Sequence, residues 1–302
     1  MILLIAVLLP RLYFDQPPST PPPVTTVAVS SAVAADWTKQ PGIKVEVVDP
    51  AKLTKLTAPK VQYRPNVASA TTSPWIDAHG WTLLRHPESQ YIYEAPGQSA
   101  ALAAAEAYAY DANVLIKTDA NGLAPFQQML TFLNSLPAMK AVPVANIGVI
   151  DDGTPETGEL MNLLSRRNLL YKLVLQPDSK LPVNVALGTK KYPKEAAYDP
   201  DTLAHQIRYE LTDDRRSLRI YGSEVVIARL ASEGSHARVH LINYANRPVR
   251  GLRVRVAGAY SKGDLKAFGQ SSAELLDFSK DGDATEFTVP EINTYAVIDL
   301  SR

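Results

Sequence analysis

Leu252-Arg253-Val254-Arg255-Val256 alternates apolar and basic side chains without a break. Side chains of a strand point to opposite faces in turn, so this pattern predicts a strand with one buried and one wet face. The same period-two grammar runs through Val225 and Ile227, Val239 and Leu241, Phe287 and Val289, and on to Val297 and Leu300. Turn-forming residues punctuate it at 232–235, 246–248, 280–283 and 290–293. Short alternating strands at that spacing predict an antiparallel β-sandwich over residues 217–302.

Upstream of residue 217 the grammar changes. Residues 144–150 are almost wholly apolar and read as a buried strand, running into Asp151-Asp152-Gly153. A helix follows, with Thr154 as its cap, Pro155 in its first turn, and Leu160, Leu163 and Leu164 on its apolar stripe. Further strands are expected at 43–48, 81–84, 91–93, 113–117 and 181–187. Helices are expected over the alanine-rich 100–110, over 123–136 with Phe126, Met129, Leu130 and Leu133 on one face, and over 202–211 behind Asp199-Pro200-Asp201. Strand–helix alternation with short joints predicts an α/β body with a mostly parallel sheet across 37–216, with a sub-boundary near 138–143.

Composition narrows the chemistry. A chain of 302 residues suits two domains, and 46% hydrophobic residues supply a real core. Lys+Arg and Asp+Glu balance at 31 each, so no basic excess draws the chain to nucleic acid or to an anionic membrane. The absence of cysteine excludes disulfides, cysteine–zinc sites and a thiol nucleophile. Residues 1–10 are apolar but too short for the roughly 20 residues of a spanning helix. They suit the core of a secretory signal, with Ala32-Val33-Ala34 as a small-x-small cleavage site. No basic segment precedes that core, and its distance to Ala34 is long. The expectation is a leader and Pro-rich linker over 1–36 and a periplasmic or extracellular protein, with a buried start as the alternative.

Gly153 and Gly158 have the spacing of a phosphate loop, but Glu159 and Leu160 stand where that loop needs Lys and Ser/Thr. The dinucleotide fingerprint G-x-G-x-x-G is missing too, so no cofactor is expected. No metal site is expected either: His236 and His240 sit four apart on a strand, about 13 Å from one another. The candidate catalytic residues are Asp151 and Asp152, ending a buried strand, with Glu159 in the helix behind them. Paired carboxylates there have the chemistry for acid–base work on a glycosidic bond. The competing reading is a turn whose acids simply favour a positive helix N-terminus. The candidate substrate-binding residues are Trp75, Asp77, His79 and Trp81, where indole faces suit sugar rings and the polar groups suit hydroxyls. Against this stands a core role for both tryptophans beneath a loop.

Two tail segments, Val239-His-Leu-Ile-Asn-Tyr244 and residues 285–300, resemble the C-terminal β-sandwich of glycoside hydrolases of the β-galactosidase type. Residues 146–211 are similar to the flavodoxin-like domain that precedes that sandwich, and 100–110 with 114–116 resemble the last helix and strand of the family's barrel. The resemblance implies carbohydrate as the partner and glycoside hydrolysis as the reaction class. A full catalytic barrel takes about 250 residues, and only about 100 lie between the linker and Asn146. No catalytic residue is therefore carried over. The expectation is an exported bacterial glycoside-hydrolase-like protein that binds or processes carbohydrate. Its rival is a non-catalytic interaction or scaffolding protein.

Overall fold

The computed structural model describes residues 8–17, 22, 24–62 and 74–302. The chain forms two compact units, one from Met1–Lys60 with His86–Ala138, the other from Val61–Arg85 with Met139–Arg302.

The first unit begins with β1 (Arg11–Phe14), β2 (Thr26–Ser30), α1 (Ala34–Trp37), β3 (Lys44–Val48) and β4 (Thr54–Thr57). The chain then leaves for the second unit with β5 (Lys60–Gln62), β6 (Trp75–Asp77) and α2 (Gly80–Arg85). It returns with β7 (Tyr91–Glu94), α3 (Ser99–Ala109), β8 (Val114–Lys117) and α4 (Ala120–Ser135). Six parallel strands line up as β3-β2-β1-β8-β7-β4. Every residue of α3 after Ser99 is buried. A helix that is apolar all round is an interior helix, and its alanines let neighbours approach closely. Its one charged group, Glu106, is fully buried and accepts a hydrogen bond of 2.6 Å from the Tyr93 hydroxyl. The Asp119 carboxylate opens α4 by accepting from the Gly97 and Gly122 amides, each at 2.9 Å.

Residues 11–14 and 26–30, inside the stretch read as leader and linker, are strands of this sheet, with Leu12 and Tyr13 buried in its middle. A cut after Ala34 would remove both strands. Residues 1–7, 18–21 and 23 lie outside the described residues.

In the second unit, β9 (Val142–Pro143) and β10 (Ile147–Ile150) lead to α5 (Pro155–Arg166), β11 (Tyr171–Val174), β12 (Val183–Val185) and α6 (Pro200–Leu211). A parallel sheet β11-β10-β12 puts β10 in the centre, which is why that strand is apolar on both faces. From β13 (Leu218–Tyr221) every described element is a strand: β14 (Val226–Glu233), β15 (His236–Asn243), β16 (Val249–Ala257), β17 (Lys262–Ala267), β18 (Leu276–Asp281), β19 (Ala284–Ile292) and β20 (Tyr295–Ser301). They form two antiparallel sheets, β13-β16-β19-β18 and β17-β20-β15-β14-β9. The quoted alternation is real. Leu252, Val254 and Val256 are fully buried, while Arg255 and Glu286 face each other across β16 and β19 on the polar side. One apolar cluster draws Leu218, Val254 and Phe287 from the first sheet and Val239, Leu265 and Ile298 from the second.

The strand expected at 81–84 is instead α2. Trp81 and Leu84 both pack on the apolar cluster of α5 and β10, so a spacing of three, not two, governs the segment.

Phe287 is 1% exposed at the centre of its cluster. Phe287→Ala should cost about 3–5 kcal/mol in equilibrium urea unfolding. Arg253→Ala, on the outer side of the paired strand, should leave the urea midpoint nearly unchanged.

Candidate functional site

The turn after β10 is built to hold charge. Gly153 has a φ of 77°, which a side chain would resist, and it lets the chain fold back into α5. Thr154 caps the helix and Pro155 sits in its first turn, as the sequence predicts. Asp152 Oδ1 accepts from the Thr154 amide at 3.1 Å, the Thr154 hydroxyl at 2.6 Å and the Thr157 hydroxyl at 2.8 Å. The Thr154 hydroxyl bond leads in pulling its pKa down to about 2; burial opposes it, and Thr157, the Thr154 amide and Lys194 add to the lowering.

Asp151 is occupied differently. Its Oδ2 accepts from Arg85 Nε at 2.9 Å, and its Oδ1 from Arg85 Nη2 at 2.6 Å and the Gly153 amide at 2.9 Å. Arg85 Nη2 also donates to the Thr154 carbonyl at 3.0 Å. The two side chains of the pair are only 10% and 20% exposed. Burial would raise the Asp151 pKa, but the Arg85 and Gly153 bonds outweigh it and hold the carboxyl below its usual range. Both aspartates are thus kept ionised. Glycoside hydrolysis needs one carboxyl held protonated as an acid, the opposite of what this turn does to either. Glu159, one turn into α5, sits 4.0 Å from Arg166 and takes a 3.4 Å bond from Asn162.

The tryptophan segment belongs to the same unit and docks on the same helix. A Cβ built on Gly158 would lie 3.0 Å from both the Trp81 ring and Arg85 Nη1. α2 therefore packs closely on α5 at Gly158, with no room for a side chain there. Trp81 is partly buried there, against the cluster that includes Leu160 and Leu164. Trp75, on β6, carries the Arg166 guanidinium 3.5 Å over its ring, a cation–π contact. Asp77 is half-buried with Gln62 Nε2 at 3.5 Å. His79 is half-buried, and its carbonyl accepts the Leu83 amide at 3.0 Å, opening α2.

So the structure brings the 75–85 and 151–159 segments together, but through packing and an ion pair. Arg85 and Arg166 escaped the sequence reading because their partners lie far along the chain, 66 residues in the case of Arg85. Gly158 was noticed for a phosphate-loop spacing, whereas it serves close helix packing. Elsewhere His236 is exposed, and His240 is buried with its Nδ1 2.6 Å from the Tyr295 hydroxyl. Burial, then Arg238 and Arg229, push the His240 pKa down to about 3, so that ring is neutral. Among the described residues no three His, Asp or Glu gather as a metal site, and no helix is long and apolar enough to cross a membrane.

No family model matches the chain, and no curated protein matches it. Among solved structures it is similar to α-L-fucosidase isoenzyme 2 from Paenibacillus thiaminolyticus, with a TM-score of 0.54 at 9% identity over 71% of this chain and 61% of that one. Two β-galactosidases also align. The enzyme from Rahnella sp. R3 gives a TM-score of 0.46 at 8% identity, over 92% of this chain and 63% of that one. The enzyme from Bacillus circulans sp. alkalophilus gives 0.41 at 9%, over 91% and 63%. This chain spans less than two thirds of the length of each. The fucosidase alignment shows a likeness of fold.

Asp151→Asn should destabilise the protein by about 2–3 kcal/mol, because it leaves the Arg85 charge without its counter-ion; urea unfolding measures it. The folded pKa of Asp152 lies below the roughly 3.9 of an unfolded aspartate. Its stabilisation is therefore complete above about pH 4 and is lost as pH falls toward about 2. Asp152→Asn should flatten the acid limb of a melting-temperature profile across that window.

Proposed function

We propose that this chain is a glycoside-hydrolase-like protein that binds carbohydrate, and that its Asp151–Asp152 turn holds the fold rather than cleaving sugar. The observation that carries the carbohydrate reading is the fold likeness to the fucosidase. The ionised, fully engaged aspartates support the second half.

The strand order of the first unit supports a reduced barrel. In β3-β2-β1-β8-β7-β4 strands adjacent in the unit's own chain order lie side by side, and its first and last strands, β1 and β8, pair in the middle. That is the order of a (β/α) barrel cut open between β3 and β4, with six strands instead of eight. We read the three-stranded parallel sheet with α5 and α6 as the flavodoxin-like part, and the two antiparallel sheets sharing one apolar cluster as the β-sandwich.

Within the 75–81 segment, Trp75 is the better candidate for a sugar ring. It stays half-exposed near Asp77 and His79 in sequence, whereas Trp81 is committed to Gly158. Stacking on Trp75 competes with Arg166 for one face of the indole.

A glycan array run beside a panel of aryl-glycosides tests the reading. Trp75→Ala should weaken glycan retention about tenfold, the equivalent of about 1.4 kcal/mol, with an unchanged circular-dichroism melt. A protein that retains no glycan, or retains it equally without Trp75, would sink the proposal. Aryl-glycoside cleavage abolished by Asp151→Asn at unchanged stability would return the aspartates to chemistry.

A further inference from the structure

The parallel sheet of the first unit stops at β3 on one side, and among the described residues no strand pairs beyond it. The Lys44 amide donates to the Thr25 carbonyl at 2.7 Å, and that bond sets the phase of the strand. In a parallel pair alternate residues turn their backbone groups to the neighbour. Lys44, Glu46 and Val48 therefore serve β2, while Val45 and Val47 each present an N–H and a C=O to the open side. Such a row is a template for another strand.

The longer edges elsewhere are blunted. β18 shifts register between Leu276 and Ser279, and β17 sets Lys262, Asp264 and Lys266 along its length. β3 contains no proline and runs in unbroken register with β2. Ile43 and Val45 pack on one side against the cluster of Val27, Val29 and Trp37. Val47, next along that side, is 56% exposed. Lys44 and Glu46 take the opposite side, where Glu46 pairs with Arg11.

The segment Ile43-Lys44-Val45-Glu46-Val47 matches its own reverse. Turned antiparallel about Val45, a second copy sets its Glu46 opposite Lys44, its Ile43 opposite Val47 and its Val45 opposite Val45. Both charge pairs attract, and the exposed Val47 gains an apolar cover. The backbone phase agrees. The two Val45 residues exchange two bonds across the axis, and each Val47 amide meets the Ile43 carbonyl of the other copy. Moving the axis by one residue would set Lys44 against Lys44 or Glu46 against Glu46.

We propose that β3 is a homodimerisation edge, pairing antiparallel with β3 of a second copy about a two-fold axis at Val45. It does not depend on the carbohydrate reading. An edge of this length buries less than the roughly 1,200 Å² of a standard interface, so the dimer is weak, with a Kd on the order of micromolar.

Sedimentation velocity of the full chain tests it, and a monomer–dimer equilibrium should appear between about 1 and 300 µM. Lys44→Glu, on an exposed residue, sets two like-charge pairs across the axis and should weaken the dimer about tenfold. Val47→Pro removes two outward amides without touching a bond to β2, and should weaken it as much, with circular dichroism confirming both folds. Lys262→Glu, on the β17 edge, should leave it unchanged. The chain holds no cysteine, so Val45→Cys supplies one thiol per copy. Its Cα would lie about 5.5 Å from its counterpart, a distance that a disulfide spans. Mild oxidation should then give a covalent dimer, which adding Lys44→Glu suppresses. A monomer throughout the range, or a dimer with wild-type affinity in Lys44→Glu, would overturn the proposal.

Discussion

Arg85 sits with nine tenths of its side chain out of water, and a charge so placed must be matched. Asp151 matches it with two parallel bonds, and the Thr154 carbonyl takes a third. Much of the second unit's local design follows from that requirement. The carboxylate has to stay ionised, the turn behind it needs the positive φ of Gly153, and α2 has to reach the head of α5. The missing side chain of Gly158 makes that reach possible. Asp151, a candidate acid in the sequence, is in this arrangement the partner of Arg85.

What the sequence made legible was periodicity and local capping. The run 252–256 buries its three aliphatic residues and turns its arginines outward, because one period-two decision fixes every side chain of a strand. Thr154 caps α5 as read, since a cap is a contact among residues three positions apart, and Asp199 caps α6 in the same way. Residues 81–84 were misread because four residues hold too little pattern to separate periods of two and three. Their partners on α5 decide the matter, and no local rule sees them. The strand at 11–14 went unread because it lies between an apolar start and a proline-rich stretch.

The candidate site divides along the same line. That residues 75–81 and 151–159 deserved notice was visible from their composition. What joins them was not, because Arg85 to Asp151 and Trp75 to Arg166 are contacts between distant parts of the chain. The aspartates' ionisation was equally out of reach. A carboxylate's acidity is set by the donors around it, and three of those around Asp152 come from Thr154 and Thr157, whose hydroxyls mattered more than their capping role suggested.

Each compact unit is assembled from two separated stretches of chain, because residues 61–85 leave one unit to complete the other. On a ribosome this sets an order of events. The first unit cannot close until Ala138 has emerged, and α2 must wait, without its α5 partner, for more than sixty residues of synthesis. Dividing the gene at residue 138 would therefore leave the first unit whole and the second without residues 61–85. The downstream fragment would lack the helix that neutralises its aspartate turn, and the upstream one would carry that helix with nothing to pack against.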